Sequence, residues 1–498
     1  MGALIQLVTL GTLYIGQMRV YSILFAAGIW SDIAAQNLVL DPAFGEDGVA
    51  LVSFGNANDR PRDIDVLPDG RIVLCGWVDA TVTSMGAAAL SAAGVLDTSL
   101  NGTGTVTINP TAFNTDCIVD AMVVQPSDNR IVLAGMVVIR LTATGDLDST
   151  FGYNGVVHRS ASDVVIQDDG RIVCSNAWGL EDDLTVFRLL PNGQLDSTFG
   201  MNGIARAGVS DIDGWTSLCL YGDGRILAAG RRQQDGVYLI ARWDANGSID
   251  ENFGVEGVVE SGSNSSGVSF PIILLRADGS IFLASDTGTT TGTGWTVRGY
   301  LGDGLVDESF GVNGIATIGF DGMGGLNGVT LDGQGRILLI GYVNSPGEIS
   351  TVVARLLPNG QLDQSFAGAG SFVFPSSIGE AAEVQPDGRI VICGRKAGNM
   401  FVIRLTEEIA TGTLSGDWGE QPSPASVVRV NGSLAIATYG LWEVRKQVVV
   451  LDAMGRLLAK HEMTSTESMV ALPGSVQGLL IVRVSDGYRS FTTRLIVE

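Results

Sequence analysis

Asp69-Gly70-Arg71-Ile72-Val73-Leu74-Cys75 decides the fold of this chain. Asp-Gly before an apolar run is a tight-hairpin signal, because Gly accepts positive φ cheaply. The run that follows is apolar at every position, and a strand apolar on both faces must be buried on both. The same turn recurs at Asp128-Asn129, Asp169-Gly170, Asp223-Gly224, Asp278-Gly279, Gly333-Gln334-Gly335 and Asp387-Gly388. A Leu-Asp-x-x-Phe-Gly motif recurs in step with it, beginning at Leu40, Leu96, Leu147, Leu195, Ile249, Val306 and Leu362. A third element, Val-x-Arg-Leu, is clearest at 138–141, 186–189, 353–356 and 402–405, with degenerate copies at 88–90, 240–243 and 297–300.

Each unit spans roughly 50–57 residues, the scale of a propeller blade. Pro191-Asn192-Gly193 and Pro358-Asn359-Gly360 mark a second turn within the unit. A unit therefore reads as strand, Asp-Gly turn, strand, variable loop, strand, Asn-Gly turn, strand. Four antiparallel strands repeated radially make a β-propeller. The first unit opens with its fourth strand, over 38–54, and the last stops after its third, at Leu405. The N-terminal strand is thus predicted to complete the seventh blade and hide two free sheet edges. The fold class predicted is all-β: a seven-bladed β-propeller over 36–408 followed by a small C-terminal β-sandwich over 427–498.

Leu195-Asp196-Ser197-Thr198-Phe199-Gly200 and Gln385-Pro386-Asp387-Gly388-Arg389-Ile390 resemble the delta-60 repeats of bacterial surface propellers. The resemblance covers about residues 38–408, and that family implies no established activity. Leu100-Asn101 and Ala367 depart from the Phe-Gly pattern.

Residues 409–426, rich in Gly, Ser, Thr and Pro, read as a linker. Beyond it, Val448–Leu451 enters an Asp452-Ala453-Met454-Gly455-Arg456 turn, and Leu472-Pro473-Gly474, a strand over 478–484 and a closing strand over 491–497 follow. This order is similar to the C-terminal sorting domain of the type IX secretion system, with Leu479 and Leu480 where an aromatic is usual. The resemblance implies the type IX machinery as a partner, passage across an outer membrane, and a secreted or cell-surface location. At the other end, Met18-Arg19, the apolar run over 20–30 and Ile33-Ala34-Ala35 read as a targeting segment over 1–35, with Met18 as a candidate true start. Gln6, Gln17 and Arg19 interrupt the rival reading, an anchor over 3–30, so no transmembrane span is expected in the mature form.

The formal charge of −23 argues against a nucleic-acid partner, whose phosphates need Lys and Arg. Of five Cys, Cys75, Cys174 and Cys393 fall in the same repeated apolar strand and read as core residues. Neither a CxxC pair nor a Cys/His cluster suggests a metal, and no cofactor is expected. The two His, His158 and His461, lack nucleophile partners in the pattern, so triad catalysis is unsupported. Asp148, Asp196 and Asp363 recur once per unit and read as turn residues rather than acids. Arg71, Arg171, Arg225, Arg336 and Arg389 read as structural hydrogen-bonders. Asp244 to Asp250 mimics a calcium loop but places its Gly at the fourth position, where an EF-hand needs it at the sixth.

Both sharp turns belong on one face of the ring and the variable loops on the other. Those loops carry Trp77, Met136, Trp178, Arg231, Arg232, Asp286, Tyr342, Arg395 and Lys396. Varied loops on a rigid scaffold suit binding, and aromatics and Arg are contact-forming types. The residues expected to bind are Trp77, Trp178, Arg231, Arg232, Asp286, Tyr342 and Arg395. The reading is an exported, non-enzymatic propeller that binds an extracellular glycan or protein. The alternatives are a polysaccharide hydrolase or lyase using carboxylates in the central funnel, and a structural component of a surface assembly.

Overall fold

A computed structural model describes residues 38–407, apart from 56–57, 80–82, 109–117, 177–182, 213–214, 264–269, 289–292 and 346, together with seven strands of the tail. The candidate targeting segment and most of the linker lie outside the described residues. Among those residues the regular structure is all β, and no helix is long and apolar enough to cross a membrane.

Seven antiparallel sheets make seven blades. The innermost strands are Arg60–Val66, Val119–Val124, Ala161–Ile166, Ser217–Leu220, Ile272–Leu275, Met323–Leu331 and Ile378–Val384. Each packs against its neighbours on both sides, so the ring is closed. In the seventh blade Leu38–Leu40 and Val49–Val52 both pair with the third strand, Asn399–Glu407. The N-terminal strand therefore closes the ring, as the unit boundaries predict. The all-apolar second strands are the filling between blades: Ile72, Leu74, Cys75, Ile172, Cys174, Ile392 and Cys393 are inaccessible to solvent.

The repeated motifs join one blade to the next. Arg188, on a third strand, donates to Asp196 Oδ2 at 2.9 Å and lies 4.5 Å over the Phe199 ring. It also donates to the Ala245 carbonyl in the turn of the next blade, at 2.6 Å. Arg140, Arg242, Arg355 and Arg404 pair in the same way with Asp148, Asp250, Asp363 and Asp41. A backbone bond runs alongside: Gly200 N–H donates to the Asn246 carbonyl, and Gly152 N–H to that of Asn192. The motif's Asp also caps its own turn, with Asp196 Oδ1 accepting the Thr198 N–H at 3.1 Å. The Asp244–Asp250 stretch is one of these turns, its Asp250 carboxylate held by Arg242 at 2.8 Å. The residue after the motif Phe has positive φ, so Asn101 (φ 52°) substitutes for Gly readily while Ala367 (φ 49°) is strained.

In five innermost strands the register shifts by a residue, at Arg62, Asp120, Ser162–Asp163, Asn327 and Glu380. Such bulges re-aim side chains. The Gly that follows the repeated apolar run lies opposite the bulge in four of these blades, at Gly76, Gly135, Gly341 and Gly394. A Cβ on Gly135 would overlap the Ile118 carbonyl oxygen. Gly135→Ala is therefore expected to lower stability by about 1–3 kcal/mol through overpacking. Gly222→Ala, at a position with open space around it, is its control in a urea titration.

In the tail, Ala425–Val430, Ser433–Thr438 and Glu467–Ala471 form one antiparallel sheet. Leu457–Met463, Lys446–Asp452, Gly478–Ser485 and Ser490–Val497 form a second. Ala425 and Ser426, read from composition as linker, already belong to a strand. The turn at 453–456 and the segment 472–477 lie outside the described residues.

Candidate binding site at the axial mouth

The bulges and the blade-to-blade connections converge on the ring axis. There a cavity of ≈ 540 Å³ draws residues from the innermost strands or their leading loops in all seven blades. Trp215 stacks on Phe270 with ring centroids 5.0 Å apart and planes 27° apart. The Arg62 guanidinium lies 5.1 Å from the Trp215 centroid and 5.6 Å from that of Trp77. It also faces two carboxylates, Asp120 at 3.9 Å and Glu380 at 4.0 Å. Arg395 holds the far side of Glu380 at 3.5 Å. Asp120 Oδ1 is buried and accepts no hydrogen bond, the Arg62 guanidinium standing at 3.9 Å from it. Tyr342 and Asp286 complete the wall.

In the same cavity, carboxylates tie adjacent blades together. Asp63 accepts the N–H groups of Ile64 at 2.8 Å and Met122 at 2.7 Å, the second across the blade boundary. Asp163 does the same with Val164 and with Leu218 of the next blade, at 2.8 and 2.7 Å. Innermost strands of neighbouring blades do not pair as a sheet, so these side chains satisfy edge N–H groups that would otherwise be orphaned.

Burial dominates the acidity of the whole group. It pushes Asp63 up to about 8, against the donated N–H of Met122 and with help from the Asp163 charge. Burial likewise raises Asp163 to about 6 and Asp120 to about 6. For Asp120 the desolvation outweighs the opposing pull of Arg62, consistent with an ion pair at the outer limit of contact. Burial, followed by the Asp65 charge, raises Glu383 to about 7. Glu380 is raised by burial against the three arginines Arg62, Arg395 and Arg60. Near neutral pH the channel thus holds carboxyl groups able to donate as well as accept hydrogen bonds.

The residues expected to bind divide. Asp286 and Tyr342 line the axial cavity, and Arg395 lines a second one beside it. Trp77 touches the site through Arg62, but its indole N–H is committed to the Val119 carbonyl at 2.7 Å. Arg232 is held by Asp235 and Glu260, each at 2.8 Å, and lines neither cavity. Arg231 lines neither as well, and Trp178 lies outside the described residues. Arg62, Asp120, Trp215, Phe270 and Glu380 escape a reading of the second-to-third-strand loops, because they sit on inner strands and on the connections between blades. Antiparallel pairing puts those connections on the same face as the loops. A signal existed: seven and eight residues before the Asp-Gly turns the repeat varies from unit to unit, and Arg62, Asp120, Trp215, Phe270 and Glu380 occupy those positions. Cys75, Cys174 and Cys393 are buried free thiols, and His158 is exposed. Among the described residues no group of three or more His, Cys, Asp or Glu is placed to hold a metal ion.

Two segments match the β-propeller family described as domain of unknown function DUF5122. They are residues 222–253 and 335–366, each running from the Asp-Gly-Arg turn, or its Gly-Arg counterpart, to the Phe of the Leu-Asp-x-x-Phe motif. No curated protein matches the chain. Among solved structures, the chain is similar to YCF48 bound to D1 peptide, at 11% identity over 75% of this chain and 98% of that one, TM-score 0.42. It is also similar to a glucose dehydrogenase, at 13% identity over 57% and 95%, TM-score 0.36. A third is PorZ, a surface component of the type IX secretion system of Porphyromonas gingivalis, at 11% identity over 90% and 75%, TM-score 0.24.

Proposed function

We propose that this chain is an exported, non-enzymatic propeller that binds a glycan at the axial mouth. The observation that carries the reading is the stacked Trp215–Phe270 pair beside Asp120, Glu380 and Arg62 in one open cavity. An aromatic face packs against the apolar face of a sugar ring, while carboxylates and a guanidinium take its hydroxyls. In this reading the tail is a β-sandwich read by the type IX machinery, and the protein works secreted or at the cell surface. Mass spectrometry of the mature protein checks that part, since export by this route predicts cleavage near residue 35 and processing near the linker.

For the site itself, titration against a panel of neutral oligosaccharides is the test. Trp215→Ala is expected to weaken binding by about tenfold, because it removes half of the aromatic pair and the ring on which Arg62 rests. Replacing Arg232, which lines neither cavity, is expected to leave binding unchanged. Equal affinity in the Trp215 variant, or no binding across the panel, would remove the axial assignment.

A second reading, hydrolysis or elimination on a polysaccharide, is favoured by the raised pKa values of Asp120 and Glu380 at the mouth, which would suit a general acid. Turnover abolished by Asp120→Asn would decide for it. Asp63 and Asp163 are poorer candidates, because both oxygens of each are engaged by backbone N–H groups.

A further inference from the structure

We infer that a second cavity on the same face takes an oxyanion, the carboxylate or sulfate group of an acidic saccharide. The cavity measures ≈ 570 Å³ and lies where the sixth and seventh blades meet the entrance to the first. Three cations from two blades line it: Arg60 opens the first blade, and Arg395 and Lys396 close the second strand of the seventh. In a chain with 30 Lys and Arg against 53 Asp and Glu, such a gathering needs a reason.

Each of the two acids in the wall accepts a hydrogen bond. Asp59 Oδ2 accepts the Phe54 N–H at 3.0 Å, and Glu348 accepts the Ser376 hydroxyl at 2.9 Å. Arg395 is ion-paired with Glu380 at 3.5 Å through its buried Nε, without a hydrogen bond. Lys396 gives one bond to the Pro375 carbonyl at 3.0 Å and rests on the Phe374 ring, leaving two of its three donors. Arg60 is exposed at the rim. Ser376 and Ala397, both in the lining, hold left-handed backbone at φ 54° and 50°. At Ala397 this is the geometry of the two-residue hairpin Ala397-Gly398, closed by the Lys396–Asn399 pair, which fixes Lys396 at the rim.

The saccharide class rests on the reading of the axial mouth as a glycan site, whereas the oxyanion does not. The two cavities share a wall: Arg395 lines this one, and its partner Glu380 lines the other. A glycan bearing both neutral and acidic sugars could place one in each. Binding here would also clamp the ring at its seam, where Asp59 N–H donates to the Gly398 carbonyl at 3.0 Å.

Calorimetric titration of the full chain with tri-galacturonate, a sulfated disaccharide and neutral xylotriose tests this. The acidic probes are expected to bind with salt-dependent affinity and to raise the melting temperature, and the tighter of the two names the oxyanion. The double variant Arg60→Gln, Lys396→Gln is expected to weaken acidic binding at least tenfold, while Arg60→Lys alone retains most of it. Affinity for either acidic probe unchanged in the double variant overturns the proposal, as does failure of both probes to bind. Failure of the axial reading looks different: Trp215→Ala then leaves xylotriose binding unaltered while the double variant still loses the acidic probes.

Discussion

Asp196→Ala is expected to destabilise the propeller by about 3–5 kcal/mol, the usual consequence of breaking a buried ion pair from one side. The side chains of Arg188 and Asp196 are 8% and 3% exposed. Burial by itself would raise the pKa of Asp196. The Thr198 hydroxyl and N–H and the Arg188 guanidinium more than offset that and hold it below the ordinary carboxylate value. Removal of the carboxylate strands the Arg188 charge between Phe199 and the Ala245 carbonyl, and takes from Arg171 its contact at 3.1 Å. The loss is shared by two blades, because Arg188 reaches the turn of the next one. A urea titration followed by circular dichroism measures it. The paired replacement Arg188→Met, Asp196→Leu is expected to recover much of the loss, since well-packed apolar groups often match a buried pair. By contrast Asp223→Ala, which removes an exposed partner of Arg225, is expected to change stability by less than about 1 kcal/mol. A loss below about 1 kcal/mol for Asp196→Ala would mean that the repeated Arg–Asp–Phe unit is not what joins the blades.

Raising the pH from about 5 to 9 is expected to weaken the fold, and Asp63→Asn to remove much of that dependence. In the unfolded chain an Asp releases its proton near 4, whereas folded Asp63 keeps it to about 8. Between those values the folded state binds the extra proton, so its stability falls as pH rises. Asp163 and Asp120, held to about 6, and Glu383, held to about 7, add smaller losses over the lower part of the window. Each pH step of one between the unfolded and folded titration points is worth about 1.4 kcal/mol, so Asp63 alone tilts the balance by several kcal/mol. The Arg-paired carboxylates act in the opposite sense. Asp196, Asp148 and Asp363 are held low, and their contribution disappears as pH falls below the ordinary carboxylate range. Greatest stability is therefore expected in weak acid. Asn at position 63 cannot titrate, but its amide nitrogen cannot accept the N–H bond that one carboxyl oxygen takes, so the variant should be weaker than the parent near pH 5 and lose less stability than the parent between pH 5 and 9. Melting curves of the two proteins that stay parallel across this range would show that Asp63 is not the titrating group.

Three repeated motifs, read in order, sufficed for the seven blades, their strand sequence and the N-terminal closure. Each motif encodes something local: a hairpin at Asp-Gly, a doubly buried strand at Ile72–Cys75, a capped turn at Leu-Asp-x-x-Phe-Gly. Locality is why those features survive translation into one dimension. The role of the motif arginine was not legible, because its partners are the Phe and Asp of its own blade and a carbonyl some 50–60 residues away. Nor was the reason for Gly76, Gly135, Gly341 and Gly394, which answers to a bulge on the neighbouring strand.

The site divides along the same line. Tyr342, Asp286 and Arg395, which line the two cavities, could be assigned to the loop face because loop variation is visible in a repeat. Arg62, Asp120, Trp215, Phe270 and Glu380 come from inner strands and inter-blade connections of different blades, and closure of the ring alone brings them to one axis. The amino-acid sequence by itself determined a closed seven-fold β-ring, since hairpin chemistry and two-faced burial are properties of short segments. Which acids lose water, which arginines stack, and which face gathers a cavity were decided by the tertiary structure, because desolvation and charge pairing depend on distances that chain position does not encode.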